Sequence, residues 1–313
     1  MNLPEEVVVE ILTKLQHPDI GNCRSVSKKF RGIVTRNAKY LPRKPISVKI
    51  FKGNGETYIC NSERGKTERF DNFDWGKWNT VAVENLTFKN ISADNHQACH
   101  ILQKVILGLK KTRQYKIRTF VMDSVNVCCL SNSHISEIFR LVATSCEKIL
   151  ISHCDIPTAF SPEQLFHNRE LTHYRWLDCG TASVSNTNDA VLKRFTIDIK
   201  ECATMKSFHG EMDCTTVSTV CDFIEAWSIS VTAPYFNITL SGCDKTWRSS
   251  FNEECSRRNI SNVCMEFASN ALKSAHIKVV FVEEAQLCRM WPIFDLPARN
   301  APGICYSRYY RDF

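Results

Sequence analysis

The chain has 313 residues, 43% of them hydrophobic and 23% charged, with a formal net charge of +7. Only eleven Gly and ten Pro occur, which excludes collagen-like and low-complexity classes, and the apolar content excludes a disordered chain. No apolar run reaches the roughly 18 residues of a membrane helix, and acids at Glu5 and Glu6 stand where a signal peptide carries bases. A soluble, unsecreted protein of the cytoplasm or nucleus is expected, with no membrane partner.

The sixteen cysteines lack any C-x-x-C pair, the spacing in which structural zinc ligands usually come. Without a secretory route, disulfides are not expected either. The thiols are therefore expected to be reduced and buried as small hydrophobes, with no metal or cofactor. The N-x-S/T sequons at Asn85, Asn90, Asn237 and Asn259 are chance matches by the same logic. Charge is uneven, with 22 Lys and Arg against 11 Asp and Glu in residues 1–120. The densest basic stretch, Lys110 to Arg118, interleaves only Tyr115 as an aromatic platform, which makes nucleic-acid binding an unfavoured reading.

In chain order, Leu3-Pro4-Glu5-Glu6 opens a helix, with proline at its start and acids near the positive end of the dipole. Val7, Val8, Ile11, Leu12 and Leu15 form one wide apolar stripe. Pro18 closes this helix, and Asp19 is an N-cap candidate for a second, with Ile20, Cys23 and Val26 facing inward. Ser25 or Ser27 caps a third, carrying Phe30, Ile33 and Val34. Three short helices in about forty residues cannot bury so much apolar surface among themselves. The profile is that of a module that docks on a partner.

The run Leu3-Pro4-x-Glu6-Val7-x-x-x-Ile11-Leu12-x-x-Leu15, then Asp19-Ile20, then Val26-Ser27-x-x-Phe30-Arg31, resembles an F-box. Phe30 stands where many members have Trp, and Cys23 where Leu is more usual. The resemblance implies a three-helix hook that docks on the Skp-type adaptor of cullin–RING ubiquitin ligases. Carried over position by position, it makes Leu3, Pro4, Val7, Ile11, Leu12, Leu15 and Ile20 the adaptor-facing candidates.

Beyond Pro42–Pro45, which marks a boundary, Ile46, Val48 and Ile50 alternate with polar residues. Gly53-Asn54-Gly55 then leads to Tyr58-Ile59-Cys60, a hairpin signature. Cys60-Asn-Ser-Glu-Arg-Gly65-Lys66-Thr67 is a near miss to a phosphate-binding loop. It lacks the first glycine and leads into no apolar helix, so nucleotide binding is not expected.

From residue 80 a loose strand–helix repeat is expected. Strands fall at Leu86–Phe88, Phe120–Met122, Ile149–Ile151 and Tyr174–Leu177, with helices at Ala98–Leu109 and His134–Val142. Cys128, Cys154 and Cys179 follow strands, where a small buried residue suits the turn. A helix at Val217–Trp227, strands through Tyr235–Leu240 and Ile277–Val282, and a Met290–Ile293 segment complete the chain. Their order resembles the F-box-associated domains of expanded nematode F-box families.

The expected fold class is α+β or α/β: a three-helix F-box followed by an irregular leucine-rich-repeat-like strand–helix domain. The expected divisions are residues 1–40, a linker and hairpin over 41–80, and a target-binding domain over 81–313. No nucleophile-elbow or zinc-hydrolase motif occurs, so a non-catalytic role is expected. The leading role is a substrate-recognition subunit of a Skp–cullin–F-box ligase with an unknown target protein. The alternative is an interaction or regulatory protein whose F-box-like start packs in cis and recruits no ligase. The two differ in whether the Leu3–Leu15 stripe is left uncovered by the rest of the chain.

Overall fold

The structure is a computed structural model. It describes residues 3–61, 65–73, 81–91, 95–112, 117–128, 132–143, 146–156, 171–177, 179, 188–201, 206–213, 215–230, 234–260, 266–268 and 275–294. The chain forms two compact units, Met1–Val125 and Asn126–Phe313.

The first unit opens with three helices, α1 (Glu5–Lys14), α2 (His17–Val26) and α3 (Lys28–Arg36). Strands β1 (Lys44–Gly53), β2 (Glu56–Asn61), β3 (Lys66–Arg69) and β4 (Val81–Ile91) follow, then helix α4 (Asn95–Thr112) and strand β5 (Thr119–Val125). Within this unit the strand order is β5-β4-β1-β2-β3. In the hairpin β1–β2, Gly53 lies opposite Glu56, and Asn54 and Gly55 between them have φ of 50° and 81°. Positive φ at both central residues is what a type I′ turn demands, so the Asn-Gly dipeptide sets the register. Parallel β4 and β5 are joined through α4, whose Ala98, Ile101, Leu102, Val105 and Leu109 are buried. The Cys60–Thr67 segment joins two antiparallel strands, with Asn61 opposite Lys66. It therefore feeds a strand, where a phosphate loop would feed a helix.

In the second unit, helix α5 (Asn132–Ala143) precedes strand β6 (Lys148–Ser152). The chain continues through β7 (His173–Leu177), α6 (Asn188–Lys200), β8 (Ser207–Asp213), α7 (Val217–Ile229), β9 (Tyr235–Ser241) and α8 (Lys245–Arg257). Strands β10 (Glu266–Ala268), β11 (Ala275–Val282) and β12 (Leu287–Phe294) close it. The order is β6-β7-β8-β9-β12-β11-β10, parallel from β6 to β9 and antiparallel beyond. This is the irregular strand–helix array the apolar spacing predicts, finished by a meander.

Alternation explains which side of these strands is buried. Tyr174, Trp176, Phe208, Phe236 and Ile238 turn inward, and their neighbours His173, Arg175, His209 and Tyr235 are partly exposed on the other face. Phe195 of α6 stacks on Phe208 at 4.4 Å between ring centroids, and Phe223 of α7 meets Phe236 edge-on at 4.8 Å. Trp227 is fully buried, and its indole N–H donates to the Pro234 carbonyl at 3.1 Å, so its one polar atom is satisfied.

The cysteines divide. Cys154 and Cys179 are buried after their strands, each thiol donating to the carbonyl two residues back, at 3.1 and 3.3 Å. Two expectations need correction. Cys128 is exposed, because the Asn126 side chain accepts from its backbone N–H and closes that turn in place of the thiol. Cys99 is disulfide-bonded, whereas ten other described cysteines are free. Among the described residues no helix is long and apolar enough to cross a membrane, and no group of His, Cys, Asp and Glu is set to hold a metal ion.

Candidate docking surface

Helix α1 takes Pro4 as its N-cap, with Glu5 and Glu6 in the first turn and Lys14 in the last. All three charges complement the helix dipole. Helix α2 begins earlier than Pro18 and Asp19 suggest. Gln16 is its N-cap and both residues lie in its first turn, where the missing proline N–H removes no hydrogen bond. Ser27 caps α3, its hydroxyl accepting from the Phe30 N–H at 3.2 Å.

These three helices close a small core of their own. Val8, Leu12, Ile20, Ile33, Val34 and Leu41 are buried together, with Val9, Leu15, Cys23 and Phe30 packed against them. Every member lies between residues 8 and 41. One polar clip joins the start of α1 to the end of α3. The Arg36 guanidinium donates to both Glu5 oxygens, at 2.6 and 3.3 Å, and the Asn37 amide donates to Glu5 Oε1 at 3.1 Å. The Arg36 hydrogen bond, then that of Asn37, holds the Glu5 carboxyl below its usual range.

The α1 stripe consequently splits in two. Val8 and Leu12, one turn apart, are the inner line, with Leu12 only 1% exposed and Leu15 partly buried beneath it. Val7 and Ile11 form the outer line at 38% and 49% exposure, and Leu3, just before the Pro4 cap, is 50% exposed. Pro4 is exposed beside them. Of the seven docking candidates, the structure thus brings Leu3, Pro4, Val7 and Ile11 to the surface. Leu12 and Ile20 are core residues, with 1% and 5% exposure, and hold the face from below.

Val26 departs from the expected inward position. At the last residue of α2 it is 71% exposed, because Ile20 and Cys23 already fill that helix's inward positions. Tyr40, which no pattern singled out, is 59% exposed. Its only signal was position, next to Leu41 at the edge of the core. Five of the eight large exposed hydrophobics among the described residues fall in these first 41 positions.

Residues 1–41 match the family model of the F-box domain. The chain carries an F-box. F-box domains bind Skp-type adaptors within cullin ligases, and proteins that carry them are generally non-catalytic adaptors. The span of the match coincides with the self-contained core, which ends at Leu41. No curated protein matched the chain.

Proposed function

We propose that this F-box protein is a substrate-recognition subunit of a Skp–cullin–F-box ubiquitin ligase. Leu3, Pro4, Val7 and Ile11 of the hook contact the Skp-type adaptor, and Leu12, Leu15 and Ile20 shape the surface from beneath. The domain over residues 81–313, which resembles F-box-associated domains, holds a target protein. The chain contributes position, bringing a target lysine within reach of a linked ligase, and performs no bond chemistry itself.

The observation that carries this reading is the closed core beneath an uncovered face. A hook folded in cis would bury its apolar stripe, yet Leu3, Val7 and Ile11 are 38–50% exposed. The magnitudes say what the adaptor must supply. Burying a fully exposed aliphatic side chain is worth about 1.5–3 kcal/mol, so three half-exposed ones give about 2–4 kcal/mol. Association costs about 4–15 kcal/mol, so these three cannot hold a complex alone. Val26 and Tyr40, exposed on the same module, and hydrogen bonds at the rim are expected to contribute.

The test is binding of a purified Skp-type adaptor to the full chain and to Ile11→Asp. Loss of binding in a variant with an unchanged circular dichroism spectrum supports the proposal, and undiminished binding removes it.

A further inference from the structure

The second unit has its own unassigned surface, the face of strands β6 to β9 turned away from the aromatic core. Register places its residues in rows across the sheet. Lys148 pairs with His173, His173 with Ser207, and Ser207 with Tyr235. The next row on the same face runs from Leu150 through Arg175 and His209 to Asn237. Lys206 stands immediately before Ser207 at the start of β8 and is exposed, as is Lys148. Lys148, His173 and Lys206 therefore lie at the N-terminal ends of β6, β7 and β8, with Arg175 and His209 one row further in.

Their mutual influence is visible in their protonation. His173 is pushed down to about 4, first by burial and then by the charges of Lys148 and Lys206. His209 is likewise held at about 4, by burial and then by Arg175 and His173. Both rings are thus neutral at pH 7. The His173 Nδ1 lies 2.7 Å from the Thr172 hydroxyl, and the His209 ring rests 5.3 Å from that of Tyr235. The carboxylates nearest in sequence are Glu147, one residue before Lys148, and Glu211, one row beyond His209. Among the described residues, neither lysine side chain is ion-paired.

We infer that this face binds an acidic segment of the target protein, laid in extended form across the β6–β9 strand ends, its carboxylates meeting Lys148, Arg175 and Lys206. The inference rests on the proposed role as a target-binding subunit and names the chemistry of the target. Charge complementarity is the first argument. Spacing is the second: three strand-to-strand steps of about 4.8 Å span about 14 Å, the length of roughly four extended residues. The neutral His173 ring between the lysines, with His209 and Tyr235 on their β9 side, offers hydrogen bonds and apolar contact without adding charge that would have to be desolvated. A segment so bound gains on-rate and specificity from the lysines and weakens as salt rises.

The test uses the full chain and a fluorescein-labelled peptide alternating Glu and Ser, read by anisotropy. Its controls are the same peptide with Gln for Glu and a labelled oligouridylate. The acidic peptide is expected to bind at least about tenfold more tightly than the Gln peptide at low salt, and to lose that margin in Lys148→Glu/Lys206→Glu. A Lys193→Glu/Lys245→Glu control carries the same charge change elsewhere and should retain it. Equal binding of the two peptides overturns the inference, as does an undiminished margin in the first variant. Tighter, lysine-dependent binding of the oligouridylate overturns it in favour of nucleic acid. Ile11→Asp separates this inference from the ligase reading. That variant should lose the adaptor and keep the peptide; in the wild-type chain, peptide binding without adaptor binding contradicts only the ligase role, and adaptor binding without peptide binding contradicts only the acidic target.

Discussion

The hook and the strand–helix body use apolar side chains in opposite ways. In residues 1–41 a core of six buried residues is so small that Leu3, Val7, Ile11, Val26 and Tyr40 stay on the surface. In residues 126–313 the large rings are swallowed whole: Tyr174, Phe195, Phe208, Phe223, Trp227, Phe236 and Phe251 are almost fully buried. The outward strand positions there carry Lys148, Arg175 and His209. Size explains the contrast, because a forty-residue module buries too small a fraction of its surface to hide every apolar group. In the proposed docking, the hook's incomplete burial supplies the apolar face that meets the adaptor. In the body, Ile197 and Ile229 are the large apolar side chains left exposed among the described residues, and the outward strand positions carry charge instead.

Substitutions can break this contrast, and the largest effect is expected in the body. Trp227→Ala removes a fully buried ring and its hydrogen bond to the Pro234 carbonyl, which should cost about 3–5 kcal/mol in denaturant unfolding. Leu12→Ala should cost the hook about 2–5 kcal/mol, and adaptor binding should fall because the fold is lost. Ile11→Asp makes the sharper comparison. At an exposed site it should leave helicity intact while adaptor affinity drops by about tenfold or more, read by calorimetry.

The smallest effect is the Glu5 clip. Arg36 holds the Glu5 carboxyl below its unfolded value, so ionised Glu5 stabilises the hook above that value and loses this role as pH falls through the folded one. Glu5→Gln should therefore lower the thermal midpoint slightly at neutral pH. The gap should narrow as pH falls below the usual glutamate range, and it should shrink in high salt.

Much of this architecture was legible in the sequence. The Asn54-Gly55 turn, the alternation through Ile46, Val48 and Ile50, and the apolar runs at β4 to β7 each carry a local physical signal. Strand β8 was missed because Ser-Phe-His-Gly-Glu-Met-Asp has only Phe208 and Met212 to mark a buried side, with Gly210 between them. Helices α6 and α8 were also missed, although their patterns are readable. Val191, Leu192, Phe195 and Ile199 line one face of α6, and Trp247, Phe251 and Cys255 repeat every fourth residue of α8. In the hook, the stripe was plain but its division was not. Adjacent positions such as Val7 and Val8, or Ile11 and Leu12, are both apolar, and only the placement of α2 and α3 decides which of each pair is buried. The cationic rows of the body were invisible for a related reason. Lys148, Arg175 and Lys206 are far apart in the chain and come together only through parallel register.

The most direct test of the account is the affinity of a purified Skp-type adaptor for the full chain, measured by calorimetry for wild type, Ile11→Asp and Lys148→Glu/Lys206→Glu. Binding in wild type and in the double lysine variant, with loss in a folded Ile11→Asp, is the predicted result. Equal affinity in all three would contradict it, because the exposed α1 face would then have no part in docking.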